Sequence, residues 1–160
     1  MKQKVNNSIR VVSSNLYTIE VNDKGETISL DLTDSALYKN MEDTFKKLSK
    51  ISQTMKEKLD SVEKINDKKE KDDFLSKKEI AQIELLDEFY KESRNAIDNF
   101  LGEGACQKIF GDKNFITMFE DLFKALNPCF KEMKNRVIDN EDEIRKKYLS
   151  KTDNNKVKLM

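Results

Sequence analysis

Two cysteines, Cys106 and Cys129, are the strongest nucleophiles in this chain of 160 residues, which has no histidine. Histidine is the commonest general base and metal ligand, so its absence excludes a Ser-His-Asp or Cys-His catalytic site. Two thiols alone are too few for a zinc site of the Cys/His kind. Free cysteines usually pack as small apolar side chains, so we expect two buried thiols in a protein of a reducing compartment.

Carboxylates are the other groups that could do chemistry, and they occur in pairs such as Glu84 with Glu88 and Glu141 with Asp142. Most of them have a Lys three or four residues away, which is typical of a solvated helix face. The acidic stretches 22–25 and 139–143 match the calcium-loop spacing D-x-[DN]-x-[DN]-G only in part. The sequence therefore predicts a protein that is not an enzyme and that holds no cofactor and no metal ion.

Three of the four glycines lie close together, at Gly102, Gly104 and Gly111. A phosphate-binding loop needs the spacing G-x-x-x-x-G-K-[ST] or G-x-G-x-x-G after a strand, and this segment has neither feature. It instead predicts a compact corner, with one helical turn between two glycine stops and with Ile109 and Phe110 in the core.

Two short runs near the N-terminus have the period of two that is typical of half-buried strands. Their apolar residues alternate with polar ones: Tyr17, Ile19 and Val21, then Ile28, Leu30 and Leu32. Between the runs, residues 22–25 have the sequence Asn-Asp-Lys-Gly, which predicts a hairpin turn, most simply type I with a bulge at Gly25. Because an isolated hairpin is marginal in water, its apolar face must cover a helix or another chain.

From Asp34 onward the apolar residues recur with a mean spacing of about 3.5, which predicts a long helix with a narrow apolar stripe. The stripe consists of Leu37, Met41, Phe45, Leu48, Ile51, Met55, Leu59, Val62 and Ile65.

Residues 66–73 are polar and mostly charged, and they predict a solvated connection. Ser76 and Glu79 then form a capping box that starts a second helix, which ends at Gly102. Together the two helices predict an antiparallel hairpin whose second member has the inner face Ile80, Ile83, Leu86, Phe89 or Tyr90, Ile97, and Phe100 or Leu101.

Residues 114–138 form the most apolar predicted helix, and four of the nine phenylalanines lie between residues 115 and 130. Such a stripe is usually core, but part of it can be a docking groove or an oligomer contact. Pro128, the single proline, predicts a kink or a restart of this helix, and a weaker helical segment follows it. The apolar residues that we predict to bind a partner are Tyr17, Ile19, Ile28, Leu30, Phe115, Phe119 and Phe123.

Charge is balanced overall, with 30 Lys and Arg against 30 Asp and Glu, and charged residues make up 38% of the chain. A net charge of zero argues against nucleic-acid binding by bulk electrostatics. Residues 145–160 are basic, and we interpret them as a solvated tail rather than a nucleic-acid arm because they offer little stacking surface. No apolar run has the length of a signal peptide or of the roughly 20 residues that span a bilayer. We therefore expect a cytoplasmic protein in a bacterial host.

The predicted organisation is an N-terminal arm over residues 1–15, one domain over residues 16–149 and a basic tail over residues 150–160. The predicted fold class is mainly α, with an N-terminal β-hairpin followed by a helical hairpin or bundle.

The stretch Leu101-Gly-Glu-Gly-Ala-Cys-Gln-Lys-Ile-Phe-Gly-Asp-Lys113 resembles a corner found in a group of Firmicute phage and prophage proteins. Those proteins have the pattern F-G-E-G-x-x-x-K-x-F-G-x-K, and Leu101 stands where the pattern often has Phe. The resemblance covers residues 16–138 and includes a short hairpin before a long charged helix. It implies a member of a tail-morphogenesis cluster, and it supplies no catalytic or ligand residues.

From this resemblance we predict a tail assembly chaperone that binds the tape-measure protein or the tail tube protein. The alternative is a structural tail or neck subunit of the virion or of a phage-tail-like particle. A nucleic-acid-binding regulator that uses the basic tail is a third hypothesis, and self-association of the chain stays open.

Overall fold

The computed structural model describes residues 16–149, and its side chains are described as far as residue 147. The elements in chain order are β1 (Leu16–Glu20), β2 (Thr27–Asp31), α1 (Ser35–Glu63), α2 (Lys77–Leu101), α3 (Ala105–Phe110) and α4 (Met118–Ile144). A short π-helical segment, Arg145–Leu149, continues α4. Helices make up 68% of the described residues, so the predicted mainly α fold with an N-terminal hairpin is confirmed. The predicted arm (residues 1–15) and tail (residues 150–160) lie outside the described residues.

β1 and β2 form an antiparallel pair with Tyr17 opposite Leu30 and Ile19 opposite Ile28. The side-chain oxygen of Asn22 accepts hydrogen bonds from the backbone N–H groups of Lys24 (3.0 Å) and Glu26 (3.2 Å). Gly25 has a φ of +76°, a left-handed conformation that glycine adopts without strain, and the register shows no bulge there. The turn therefore closes where the sequence predicts it.

α1 and α2 form the predicted antiparallel hairpin of helices, and each begins at a side-chain cap. The Asp34 carboxylate accepts the N–H of Ala36 at 2.9 Å at the start of α1. Ser76 and Glu79 form the complete capping box at the start of α2, with distances of 3.1 and 3.0 Å. These local bonds satisfy N–H groups that no helical carbonyl can reach, and they set the first residue of each helix.

α4 differs from its prediction because it starts at Met118, passes through Pro128 and continues to Ile144 without a restart. Pro128 is on the exposed side of the helix, whereas Leu126 and Cys129 beside it are buried. Buried residues on both sides of the proline hold the helix against the core. The packing therefore outweighs the hydrogen bond that the proline removes.

The core lies between the inner face of the hairpin, the C-terminal half of α2, α3 and most of α4. Its buried members are Ile28, Leu30, Leu32, Leu37, Tyr90, Ile97, Phe100, Leu101, Ala105, Cys106, Met118, Phe119, Leu122, Leu126, Cys129 and Met133. The apolar face of the β-hairpin thus covers helices of its own chain. None of the helices within residues 16–149 combines the length and the apolarity that crossing a bilayer requires.

Candidate partner-binding surface

Six of the seven residues predicted to bind a partner lie in or against the core. Ile28, Leu30 and Phe119 are buried. Tyr17, Ile19 and Phe123 are partly buried and pack against the same cluster. Only Phe115, just before α4, exposes a large part of its side chain, at 45%. The partner-binding role of these residues stays a prediction, but in this structure the set offers little free surface.

Both thiols are enclosed. Cys106 is 1% exposed, and its backbone N–H donates to an Asp98 carboxylate oxygen at 2.8 Å. Burial, together with the neighbouring Asp98 carboxylate, raises the pKa of the Cys106 thiol to about 12. Burial also raises the pKa of the Cys129 thiol. A thiol with a raised pKa holds little of the nucleophilic thiolate at neutral pH, so neither cysteine is placed for covalent chemistry.

The carboxylate pairs are dispersed on helix surfaces. The Glu88 carboxylate forms an ion pair with the ammonium group of Lys58 on α1 at 2.7 Å. The Glu141 carboxylate forms one with the guanidinium group of Arg145 at 3.0 Å. Within residues 16–149, no three side chains of the metal-ligating types come together in a way that could hold an ion. Glu88 and Glu141 are therefore surface carboxylates, each paired with a basic side chain.

Arg94 of α2 organises the glycine corner. Its guanidinium donates to the carbonyls of Gly111 (3.0 Å) and Lys113 (2.7 Å) and to the side-chain oxygen of Asn114 (2.8 Å). The same group stacks over the Phe110 ring, 5.7 Å from the ring centre. Three bonds from one planar group fix the path of the chain from α3 into α4. The corner is therefore a structural junction that sets where α4 begins.

α4 runs alongside only part of the α1–α2 hairpin, as its ring contacts show. Phe119, at the start of α4, packs against Phe89 and Tyr90 with ring centres 6.1 and 6.2 Å apart. Farther along, Phe130 packs against Phe100 at 6.2 Å. α2 begins at Lys77, twelve residues before Phe89, its first residue whose ring contacts α4. At the usual helical rise, this first part of α2 is about 18 Å long.

We call this part of the helical hairpin the uncovered tip: residues 54–63 of α1, residues 77–88 of α2 and the connection between them. Five large apolar side chains are exposed there: Leu59 38%, Ile65 38%, Phe74 88%, Ile80 44% and Ile83 44%. Soluble proteins rarely expose apolar side chains in such groups without a contact to make. The tip is thus the main candidate surface.

Two exposed side chains of the tip, Leu59 and Ile83, lie on the side that α4 covers farther along the helical hairpin. Ile83 lies one heptad before Tyr90, which contacts α4 through Phe119. Leu59 lies two heptads after Phe45, whose ring packs on Phe123 of α4 at 5.6 Å. Residues one or two heptads apart lie on nearly the same side of a helix. The groove that holds α4 in one half of the molecule is therefore open in the other half.

Two ion pairs join the helices across the tip. Lys58 meets Glu88 at 2.7 Å, and Lys78 meets Glu63 at 3.1 Å. The hydrogen bond to Glu88 raises the pKa of Lys58, which keeps its charge. Exposed pairs contribute little stability, so these two show that α1 and α2 run side by side at the tip but do not by themselves hold the helices together.

A second, smaller apolar area flanks the C-terminal half of α4. A groove of about 480 Å³ lies between Tyr38 of α1 and residues Val137 and Ile144 of α4. Val137, Ile138 and Ile144 are 49%, 59% and 53% exposed. This area is formed by the start of α1 and the end of α4 and lies outside the uncovered tip, so it serves below as a comparison surface.

The sequence assigned Leu59, Ile80 and Ile83 to apolar inner faces and so missed the tip. Their spacing is indeed that of a buried stripe, and nothing local distinguishes them from Tyr90 or Ile97, which are buried. The missing information is where α4 begins relative to α2, and that is set by the corner around Arg94.

A family model with the description "Family of unknown function (DUF6673)" matches residues 24–158, which is more than half of the chain. Neither the curated proteins nor the solved structures include a match to the chain.

Proposed function

The chain belongs to the family of unknown function DUF6673, and we propose that this member is a non-catalytic tail assembly chaperone. In this proposal it binds an apolar helix of the tape-measure protein or of the tail tube protein during tail morphogenesis, in the cytoplasm of a bacterial host. The phage assignment comes from the resemblance of the glycine corner at residues 101–113.

The uncovered tip is the observation that carries the binding part of the proposal. α4 supplies an example of what the groove accepts, because its Phe and Leu side chains fill the other half of that groove. A partner helix of about three turns would lie over Leu59, Ile80 and Ile83 in line with α4. Such docking is the helix-in-groove mode of recognition, which needs apolar anchors at helical spacing and no catalytic group.

The size of the tip suits transient binding. The five exposed apolar side chains of the tip bury only a small apolar area in a complex, well below that of a stable standard interface. Association also costs translational and rotational freedom, so the resulting affinity is modest. Modest affinity fits a protein that covers an aggregation-prone helix and then releases it for assembly.

Co-expression with the tape-measure and tail tube proteins of the same genome, followed by pull-down, tests the proposal. We expect wild type to capture one of them and Ile83→Lys to lose at least tenfold in apparent affinity, because a Lys at this position would have to be desolvated in the complex. Ile138→Lys is the matched control, since it places the same charge on another exposed Ile, which lies on α4 outside the tip.

Capture of neither protein by wild type would overturn the proposal. Equal capture by wild type and Ile83→Lys would overturn the tip as the site. Mass spectrometry of purified particles separates the chaperone from the alternative, a structural tail or neck subunit. A chaperone is missing from the mature particle, whereas a subunit is present in stoichiometric amount.

A further inference from the structure

β1 is an edge strand whose outer side has no partner among the described residues. The sheet has two strands in the order β1–β2, so one side of β1 faces β2 and the other faces outward. An open edge presents a row of N–H and C=O groups that can pair with another strand.

The hairpin register identifies which backbone groups face outward. The N–H of Val21 donates to the carbonyl of Glu26 at 2.9 Å, which makes this a hydrogen-bonded pair. Such pairs alternate along an antiparallel ladder, so Tyr17 and Ile19 also bond inward to β2. The N–H and C=O groups of Leu16, Thr18 and Glu20 therefore point to the open edge.

The side chains of these three residues are exposed on the outer face of the sheet, and Leu16 is 58% exposed. The hydroxyl of Thr18 bonds to that of Ser29 on β2 at 3.0 Å. β1 contains neither proline nor lysine, two residues that commonly protect an edge strand from pairing.

We propose that a second copy of this chain pairs with this edge, strand β1 against strand β1, antiparallel about a two-fold axis at Thr18. The two hairpins then form one four-stranded sheet. Residues whose numbers add to 36 face each other, so Thr18 meets its own counterpart and Leu16 meets Glu20 of the other copy. This is an isologous contact, in which one surface serves both partners.

The complementarity of the edge favours a second copy over other strands. The outward groups are centred on Thr18, so each N–H finds a carbonyl in the symmetric register. The two Glu20 carboxylates stand opposite leucines rather than opposite each other, which avoids like-charge repulsion. On the outer face, the Ser29 and Thr18 hydroxyls of both copies form one row of groups that can donate and accept.

The inner face of the joined sheet is also complementary. In the same register Tyr17 of each copy lies opposite Ile19 of the other, and both side chains are only partly buried in the single chain. Aromatic and β-branched residues are favourable cross-strand neighbours. The contact uses the hairpin and leaves the uncovered tip free, so it is independent of the proposed function.

Sedimentation of the full chain across a concentration series tests the inference. We expect a concentration-dependent species of twice 18.7 kDa. Thr18→Pro removes two outward N–H groups per dimer and leaves the backbone hydrogen bonds between β1 and β2 in place, so its Kd should rise at least tenfold. Thr18→Ala loses the same hydroxyl but keeps the N–H, so it is the matched comparison, and its Kd should rise much less than that of Thr18→Pro.

A second variant tests the same contact in case Thr18→Pro does not fold. Thr18→Cys should form an intermolecular disulfide under mild oxidation, because opposed residues in this register are about 5.5 Å apart between Cα atoms. The native Cys106 and Cys129 are buried and do not interfere. A wild type that stays monomeric throughout, a Thr18→Pro chain that dimerises like wild type, or no disulfide from Thr18→Cys would each overturn the inference.

Discussion

At the scale of single residues, exposure separates side chains that the sequence pattern treats alike. Phe115 and Phe119 belong to the same apolar stripe, four residues apart. Phe119 is 9% exposed and touches the rings of Phe89, Tyr90 and Phe110, whereas Phe115 is 45% exposed and touches Phe110. Phe119 is therefore a core residue, whereas about half of the Phe115 side chain is exposed to solvent.

Phe119→Ala should therefore lower the free energy of unfolding by about 3–5 kcal/mol, the range for a buried aromatic whose removal leaves a cavity. Phe115→Ala is the matched comparison and should cost about 1 kcal/mol, since only half of its surface is buried. Urea unfolding followed by circular dichroism measures both. Similar values for the two variants would contradict this placement of Phe119.

At the scale of elements, local chemistry decided where helices begin and the hairpin turns. Asn22 and Gly25 at the turn, Asp34 at the start of α1 and Ser76 at the start of α2 act through bonds to residues two to four positions away. These features could be predicted because both partners are close in sequence. The continuation of α4 through Pro128 could not, because it depends on core contacts that are distant in sequence.

Ser76→Ala should cost about 1 kcal/mol, the usual loss for an N-cap, because it leaves the N–H of Glu79 without its partner. Ser76→Asp keeps a capping oxygen and should recover most of that loss. Thermal unfolding of the three chains checks the order. An alanine variant as stable as wild type would show that tertiary packing alone sets the start of α2.

At the scale of the whole molecule, the decisive feature is a mismatch of lengths. Ile83, Tyr90 and Ile97 occupy one heptad position of α2, yet Ile83 is 44% exposed while the other two are 7% and 1% exposed. The sequence pattern is the same at all three, so no local signal marks Ile83 as surface. The difference arises because the corner around Arg94 starts α4 beside Tyr90 and leaves the tip beyond it uncovered.

The net charge of zero results from a nearly even mixture of acidic and basic side chains on the helix surfaces. Mixed charges coat the outer faces of the long helices and form i,i+4 pairs such as Glu120 with Lys124. A surface of this kind keeps a helical protein apart from nonspecific partners, while five exposed apolar side chains lie together at the tip.

Hydrogen exchange of the chain, measured with and without its captured partner, tests the central claim most directly. Amide exchange in a helix slows when a ligand suppresses local opening. We predict slower exchange in residues 54–63 and 77–88, with little change in residues 137–144 of α4. Protection confined to α4, or a stable complex that leaves the tip unprotected, would contradict the claim that the uncovered tip binds the partner helix.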